Sequence, residues 1–412
     1  MLVNYLQIAW KVMLRRPFFT FVSLFGIALT MVVIMVAVSL LDHSFGPMPP
    51  ESGIDRIVGV YGTSMSGPHD SIMGTAGYKL LDRYIRTLHP VEGMTVHSGF
   101  DVVYSYQTGQ AQEFFEKRTD GAFWRIFDFS FVEGGPFTED DNRNRNFVAV
   151  VNESTLKKLF GAGAHAAGKT IELGGQNFQI VGVVRDVPFL RLTTFSDVWV
   201  PLSTAKTDAY KSELVAGFMG SIQVKDKKQI PMLRAQLASV LNRVELPLGF
   251  TEIRTGLDSP FEALSRMIFS QHSNDSHPGR LTAILLGVMV LFMLLPTINL
   301  VNINLSRILE RASEIGVRKA FGASSWVLVG QFVVENVTLT LIGSMLGLLG
   351  AILALRLLTI SAIIPYAEYT MNYRIFGYAV VIAVFFGVLS GAYPAWRMAR
   401  LHVVDALRGG AR

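Results

Sequence analysis

The chain has 412 residues, of which 50% are hydrophobic and only 17% are charged, and its net charge is +5. Soluble domains carry roughly 25% charged residues, so this deficit indicates long segments that face lipid. Because the chain has no cysteine, disulfides and thiolate chemistry are excluded. Its basic residues do not form a cluster with aromatic residues between them, so nucleic-acid binding is not predicted.

Residues 1–16 predict a short amphipathic helix on the inner membrane leaflet. Apolar residues recur there at helical spacing, and Lys11 and Arg15 fall on the opposite side. The alternative is that these residues are only the first turns of a long first span.

Four stretches are long and apolar enough to cross a bilayer, which requires about 20 residues. They are residues 17–41, 281–305, 326–355 and 375–396, and only the third contains a charge, Glu335. Glu335 is either a functional carboxylate or, as we favour, a residue packed near the cytosolic end. The first stretch is too long for a signal-peptide core and lacks a small-residue cleavage site, so we expect an uncleaved anchor.

Basic residues in the short loops set the orientation. They precede the first span, lie between the second and third, and follow the fourth: Lys11, Arg15, Arg16, Arg307, Arg311, Arg318, Lys319, Arg397, Arg400, Arg408 and Arg412. We therefore expect residues 1–16, 306–325 and 397–412 in the cytosol. Residues 42–280 then lie outside, and residues 356–374 form a short external loop.

The outer segment, residues 42–280, mixes helical and strand-like runs. The helical runs are residues 77–88, 153–160 and 231–244, and the strand-like runs are residues 147–151, 170–173, 178–184 and 198–200. Residues 260–270 predict a stalk helix that leads into the second span. The predicted fold class is an α-helical membrane protein with four transmembrane helices in a 1+3 layout. A large mixed α+β extracytoplasmic domain is inserted between the first and second helices.

Residues 163–170 match the phosphate-loop pattern GxxxxGK[ST], which needs a strand before it and a helix after it. Here a helical run precedes the motif and a hairpin follows it, so we reject nucleotide binding. Residues 173–176 echo the ABC signature LSGGQ but fall on that hairpin turn. A membrane-tethered nucleotide enzyme that uses Lys169 is the alternative, and it predicts that Lys169→Ala abolishes nucleotide binding.

His272, Asp275 and His277 lack the spacing of a helical metal-ligand pair, and Pro278 and Gly279 follow them directly. We interpret this segment as a solvated linker rather than a metal site. No Ser, His and Asp set has a supporting motif such as GxSxG. We therefore predict no catalytic residue, no metal and no cofactor in this chain.

The cytosolic loop continues helically from the second span and has one charged and one apolar face. Gly322 is placed to stop the helix, and a serine after it is placed to cap the next one. Such a helix at the membrane surface is suited to dock into a partner rather than to form only a solvated turn. The predicted contact residues are Glu310, Arg311, Glu314, Ile315, Gly316, Val317, Arg318, Lys319, Ala320, Phe321, Gly322 and Ala323.

The segment Glu-Ile-Gly-Val-Arg-Lys-Ala-Phe-Gly-Ala at residues 314–323 resembles the hallmark loop of the FtsX/MacB-like ABC permease family. Residues 299–302, 331–335 and 390–397 also fit its pattern. The outer segment resembles the family's periplasmic core domain through residues 131–137 and several later runs, so the likeness covers nearly the whole chain.

The resemblance implies a permease that pairs with a second permease chain, identical or related, and with cytosolic ABC ATPase subunits. The loop at 310–323 would be the coupling helix, and ATP and Mg would bind in the ATPase. Because only about 16 residues precede the first span, we expect the ATPase on a separate polypeptide. A bacterial inner-membrane location is implied, and a periplasmic adaptor protein is left open.

Gly343 with Gly347, and Gly387 with Gly391, form GxxxG pairs that permit close helix packing, within the chain or at a dimer seam.

We expect a transporter that exports or extracts a peptide, antibiotic or lipoprotein. The alternatives are an FtsX-type regulator of a cell-wall hydrolase, for which the outer domain is longer than needed, and a four-span sensor without an ATPase.

Overall fold

The structure of the chain is a computed structural model. It describes residues 2–15, 17–107, 109–269, 275–310, 325–361, 363, 365–366, 369 and 372–399. The described residues form two units, one of membrane helices and one outer unit that comprises Asp42–Thr282 and the residues around Tyr366.

The helices are α1 (Leu2–Arg15), α2 (Pro17–Phe45), α3 (Phe123–Ile126), α4 (Glu139–Arg143), α5 (Glu153–Phe160), α6 (Ile230–Leu241), α7 (Pro260–Phe269), α8 (Pro278–Glu310), α9 (Ser325–Ser361) and α10 (Tyr373–Ala399). The strands are β1 (Ile57–Val60), β2 (Thr63–Ser66), β3 (Ser71–Gly74), β4 (Gly93–Ser105), β5 (Gln112–Thr119), β6 (Phe131–Gly134), β7 (Val148–Asn152), β8 (Thr170–Leu173), β9 (Gln176–Val184), β10 (Val198–Pro201), β11 (Phe218–Gln223) and β12 (Glu252–Thr255).

Four of the described helices are long and apolar enough to cross a membrane. The candidate spans are Pro17–Phe45, Pro278–Ile303, Val329–Ser361 and Tyr373–Ala392. The large mixed domain lies between the first and the second of them along the chain. The predicted fold class is confirmed, and the chain is a multi-pass membrane protein.

The membrane helices pack around small residues. A Cβ on Gly347 of α9 would lie 2.5 Å from Cβ of Met31 on α2, and one on Gly343 would lie 2.8 Å from Cγ2 of Ile27. Gly387 and Gly391 of α10 face Thr340 and Asn336 of α9 in the same way. Both glycine pairs are therefore used inside the chain, where a side chain would separate the helices.

Helix α1 lies against the membrane unit through its apolar side. Ala9 and Met13 are buried in a cluster with Leu339 of α9, whereas Trp10 is exposed. The hydroxyl of Thr20 on α2 donates a hydrogen bond to the carbonyl oxygen of Met13 on α1 at 3.0 Å, which links the two helices.

The outer unit is built on a nine-stranded mixed sheet with the order β1-β11-β4-β5-β10-β7-β9-β6, in which β8 pairs with the first four residues of β9. A second sheet has the order β12-β2-β3. Strand β10 runs parallel to β5 and antiparallel to β7, so it lies in the centre of the large sheet. Helix α5 follows β7 directly because the Asn152 side chain accepts a hydrogen bond from the N–H of Thr155 and so caps the helix.

One predicted helix differs in the structure. Residues 77–88 form a π-helical turn over Leu80–Tyr84 and a 3₁₀ turn over Ile85–Thr87 instead of an α-helix. The apolar residues of this stretch all belong to one hydrophobic core. The wider π-helical turn lets neighbours in sequence, such as Leu80 with Leu81, face that core together.

We expect Gly347→Val to weaken the packing of α9 on α2, because its Cβ would overlap Met31 and the carbonyl of Ala28. Overpacking of this kind costs about 1–3 kcal/mol. The matched control is Gly377→Val on α10, where a Cβ meets no atom within 4 Å. Thermal unfolding of the purified chain in detergent measures the difference, and equal melting temperatures for the two variants would contradict the packing described.

Candidate functional site

Most of the segment predicted to contact a partner lies outside the described residues. Helix α8 ends at Glu310 and α9 begins at Ser325. Of the predicted contact residues, only Glu310 lies on a described helix. The others, residues 311 and 314–323, lie between the two helices, and their role stays a prediction.

The turn that resembles a phosphate loop binds a carboxylate of the protein itself. The backbone N–H groups of Ala166 and Ala167 donate to the two carboxylate oxygens of Glu133 on β6, at 3.2 and 3.0 Å. These hydrogen bonds, that of Ala167 foremost, lower the pKa of Glu133. The ammonium of Lys169 lies 4.5 Å from the ring centre of Phe160. The anion position is thus filled from within, between helix α5 and strand β8, which favours a structural turn over a nucleotide site.

The LSGGQ-like residues close the β8–β9 hairpin. Gly174 and Gly175 have φ angles of 54° and 83°, a conformation that glycine adopts without steric cost. The ammonium of Lys206 donates to the carbonyl oxygen of Gly174 at 2.8 Å. The two glycines are therefore explained by the turn.

The histidine segment before α8 forms a local ion pair. Nδ1 of His277 lies 3.1 Å from Oδ2 of Asp275, and the N–H of His277 donates to the same side chain. His272 lies outside the described residues. Within the described ranges, no group of three or more His, Cys, Asp or Glu residues could hold a metal ion.

Glu335 lies inside the helix bundle. Its side chain and that of Asn336 are buried on α9, and Asn336 donates to the carbonyl oxygen of Phe332 at 3.0 Å. Asn336 is also the residue that Gly391 of α10 approaches. Glu335 itself is buried in the membrane unit rather than exposed on its surface.

A buried ion pair lies where the chain leaves α2. Arg191 has a fully buried side chain, and its Nη1 is 2.9 Å from Oε2 of Glu51. Its Nη2 donates to the carbonyl oxygen of Gly46 at 2.7 Å, directly after the last residue of α2. The hydroxyl of Thr194 donates to the other oxygen of Glu51 at 2.8 Å. One arginine therefore holds both the helix exit and the acidic residue that follows it.

A local turn positions these groups. Residues 185–197 connect β9 to β10, and within them the N–H groups of Thr194 and Phe195 donate to the carbonyl oxygen of Arg191. Phe195 is buried in an aromatic cluster with Phe100 and Phe115. The turn brings Arg191 and Thr194 to the same carboxylate, and the aromatic anchor keeps the turn in place.

Lys117 of β5 adds a third buried charge to this region. Its ammonium donates to the carbonyl oxygens of Ser98 and Leu192, at 3.2 and 3.3 Å. Burial lowers the pKa of Lys117 to about 7. Burial also raises the pKa of Glu51, and the Arg191 charge partly offsets this. Removal of one of these charged groups would therefore leave another buried without its compensating partner.

Sequence reasoning missed this site. Arg191 is the only charged residue in the stretch 187–196, which otherwise reads as apolar and hydroxyl residues. A lone arginine in such a stretch signals a buried ion pair. Its partner Glu51 is 140 positions away, so the pair itself could not be deduced.

Two protein-family models match the chain. The MacB-like periplasmic core domain matches residues 20–240, and the FtsX-like permease C-terminal domain matches residues 286–403. The first match alone covers more than half of the chain. The chain belongs to the MacB/FtsX-like family of ABC transporter permeases. The resemblance predicted from residues 314–323 is thereby confirmed at the level of the family.

Relatives of this permease are named as ABC transporter proteins. It is 25% identical to the uncharacterized ABC transporter permease YknZ of Bacillus subtilis, over 79% of this chain and 78% of that protein. It is 27% identical to the macrolide export ATP-binding/permease protein MacB of Bdellovibrio bacteriovorus, over 67% of this chain and 41% of that protein. The permease spans about two fifths of the MacB proteins that it matches.

Solved structures of related domains are also similar. The extracellular domain of the noncanonic ABC-type transporter YknZ from Gram-positive bacteria is 18% identical, with a TM-score of 0.36 over 48% of this chain and 98% of that domain. The periplasmic region of MacB from Actinobacillus actinomycetemcomitans is 16% identical, with a TM-score of 0.38 over 52% of this chain and 92% of that region.

We expect Arg191→Met to destabilise the outer unit of the permease by about 3–5 kcal/mol, because it leaves the Glu51 carboxylate buried without its cation. The double variant Arg191→Met with Glu51→Leu removes both charges and should recover part of that loss. The matched control is Arg83→Met, which breaks an exposed pair with Glu245 and should cost at most about 1 kcal/mol. Urea unfolding followed by tryptophan fluorescence compares the three. Equal losses for Arg191→Met and Arg83→Met would refute a structural role for the buried pair.

Proposed function

We propose that the chain is the permease subunit of a MacB-like ABC transporter. In this proposal it transmits ATP-driven motion from a cytosolic ATPase to its outer domain, for the export or extraction of a peptide, antibiotic or lipoprotein. The family models and the names of the MacB relatives support a transport role. The match of the outer segment to the MacB-like model favours this role over regulation of a cell-wall hydrolase.

The observation that carries the proposal is the rigid exit from α2. The first residue after the helix is held directly, because the carbonyl oxygen of Gly46 accepts a hydrogen bond from Arg191. Glu51 lies five residues later and is held by the same arginine and by Thr194. A displacement of the end of α2 therefore reaches the central sheet instead of being absorbed by a flexible segment.

The membrane unit is suited to deliver such a displacement. The segment between α8 and α9 is the predicted ATPase contact, and α9 packs on α2 through Gly343 and Gly347. Closely packed helices move as rigid bodies with little compression. A push on that segment would thus reach α2 through α9.

The assembly and orientation belong to the same proposal. Both termini and residues 306–325 lie in the cytosol, and the outer unit lies on the periplasmic or extracellular side. ATP and Mg bind in the ATPase subunits, and a second permease chain completes the transporter. The basic residues that flank the spans support this orientation.

The test is affinity purification of the tagged permease from its native membranes, with ATP hydrolysis assayed in the eluate. We expect the wild type to retain an ATPase. Glu314→Lys and Gly316→Trp should reduce the retained activity by at least about tenfold, because a charge reversal or a bulky side chain in a docking face costs several kcal/mol. The matched control is Glu213→Lys on the exposed surface of the outer unit, which should behave as the wild type.

Either of two results would contradict the proposal. One is full retention of ATPase activity by both loop variants, which would remove the contact role of residues 310–323. The other is a wild type that retains no ATPase in any mild detergent, which would favour a four-span sensor.

A further inference from the structure

The connection between α9 and α10 is part of the outer unit. Pro365 and Tyr366 lie in this connection and fold with the outer unit. The N–H of Phe189 donates to the carbonyl oxygen of Pro365 at 3.2 Å, and the hydroxyl of Tyr366 donates to Oδ1 of Asp197 at 2.6 Å. The outer unit is thus attached to the chain between the third and fourth spans as well as to the chain around the first.

Asp197 is a firmly held acceptor for this tyrosine. Its side chain is buried, and its Oδ2 accepts from the N–H of Phe115 on β5 at 2.9 Å. Its Oδ1 also accepts from the amide of Asn152 at the end of β7, at 3.3 Å. Because β5 and β7 flank the central strand β10, Tyr366 is attached to the middle of the large sheet.

The backbone of Tyr366 indicates that its position is specifically required. Its φ angle is 56°, in the left-handed region that bulky residues rarely adopt. Such a conformation persists only where surrounding contacts hold it. The contacts here are the hydrogen bond to Asp197 and the packing of the ring beside Phe195, with 6.2 Å between ring centres.

Both attachments meet on the segment 187–197. Arg191 and Thr194 hold the exit of α2, while Phe189 and Asp197 hold the connection between α9 and α10. The outer unit is already continuous with α2 and α8 along the chain, so the contacts of Phe189 and Asp197 add a further connection. A motion of the connection between α9 and α10 would therefore act on the same segment as a motion of the end of α2.

We propose that the segment 187–197 is a joint that receives motion from two membrane connections, and that Tyr366 is the positioning residue of the second. The inference deepens the proposed function and rests on it, since it assumes that ATP-driven motion reaches the outer unit. The attachment itself is testable without any ATPase.

The first measurement is hydrogen–deuterium exchange of the full-length permease in lipid nanodiscs. Tyr366→Phe removes only the hydroxyl, and Tyr366→Gly removes the ring while keeping a residue that tolerates positive φ. We expect the amide of Phe189 to exchange about tenfold faster in Tyr366→Phe, and faster still in Tyr366→Gly. The control Tyr373→Phe alters an exposed tyrosine at the start of α10 and should match the wild type. Unchanged exchange in both Tyr366 variants would overturn the attachment.

The second measurement repeats the exchange on the complex with its co-purified ATPase, with and without trapped ATP. We expect the nucleotide-dependent change in residues 187–197 to be roughly halved in Tyr366→Phe, because one of the two connections that meet on this segment is loosened, while ATP hydrolysis continues. A full nucleotide-dependent change in Tyr366→Phe would overturn the joint. No nucleotide-dependent change in the wild type would overturn the proposed function and the joint with it, whereas the attachment would still be decided by the first measurement.

Discussion

The guanidinium of Arg191, held between the Glu51 carboxylate and the Gly46 carbonyl, is the interaction that holds the residues after α2 within the outer unit. A buried pair of this kind contributes little net stability, because desolvation of both charges offsets their attraction. Its effect is to hold the chain that leaves α2 in one position. Any other position would separate the two charges and leave them buried without a partner, which costs free energy. Lys117 extends this constraint to β5, since its ammonium donates to the carbonyl oxygen of Leu192 next to Arg191.

The helices of the membrane unit are held together by a different kind of interaction. Lipid tails are as apolar as leucine, so helices in a bilayer associate through close packing rather than through hydrophobic burial. Gly343 and Gly347 let α2 approach α9, and Gly387 and Gly391 let α10 approach it from its own side. Closely packed helices deform little when they are displaced, and chain segments held by buried charges have few alternative positions. Both features support the proposed transmission of motion.

The sequence indicated the spans and the fold class, because an uncharged stretch of about 20 residues has few alternatives. It also indicated the helix after Asn152 and the hairpin at Gly174 and Gly175, where local chemistry decides the backbone. The strand order of the large sheet could not be predicted from the sequence, because β1 pairs with β11 and β5 with β10 across long stretches of chain. The phosphate-loop match was rejected on its flanking elements alone, but only the structure identifies Glu133 as the anion that the turn holds. Arg191 and Tyr366 were missed because each acts through a distant partner.

The most direct test of the account is the distance between the outer unit and the membrane helices during ATP turnover. The chain has no cysteine, so labels on Leu248→Cys in the outer unit and Tyr378→Cys on α10 are unique, and both native side chains are exposed. Pulsed electron spin resonance on the complex with its ATPase measures the distance distribution. The account predicts that trapping ATP shifts this distribution, and that Arg191→Met broadens it and reduces the shift. An identical distribution with and without nucleotide, in a preparation that hydrolyses ATP, would contradict it.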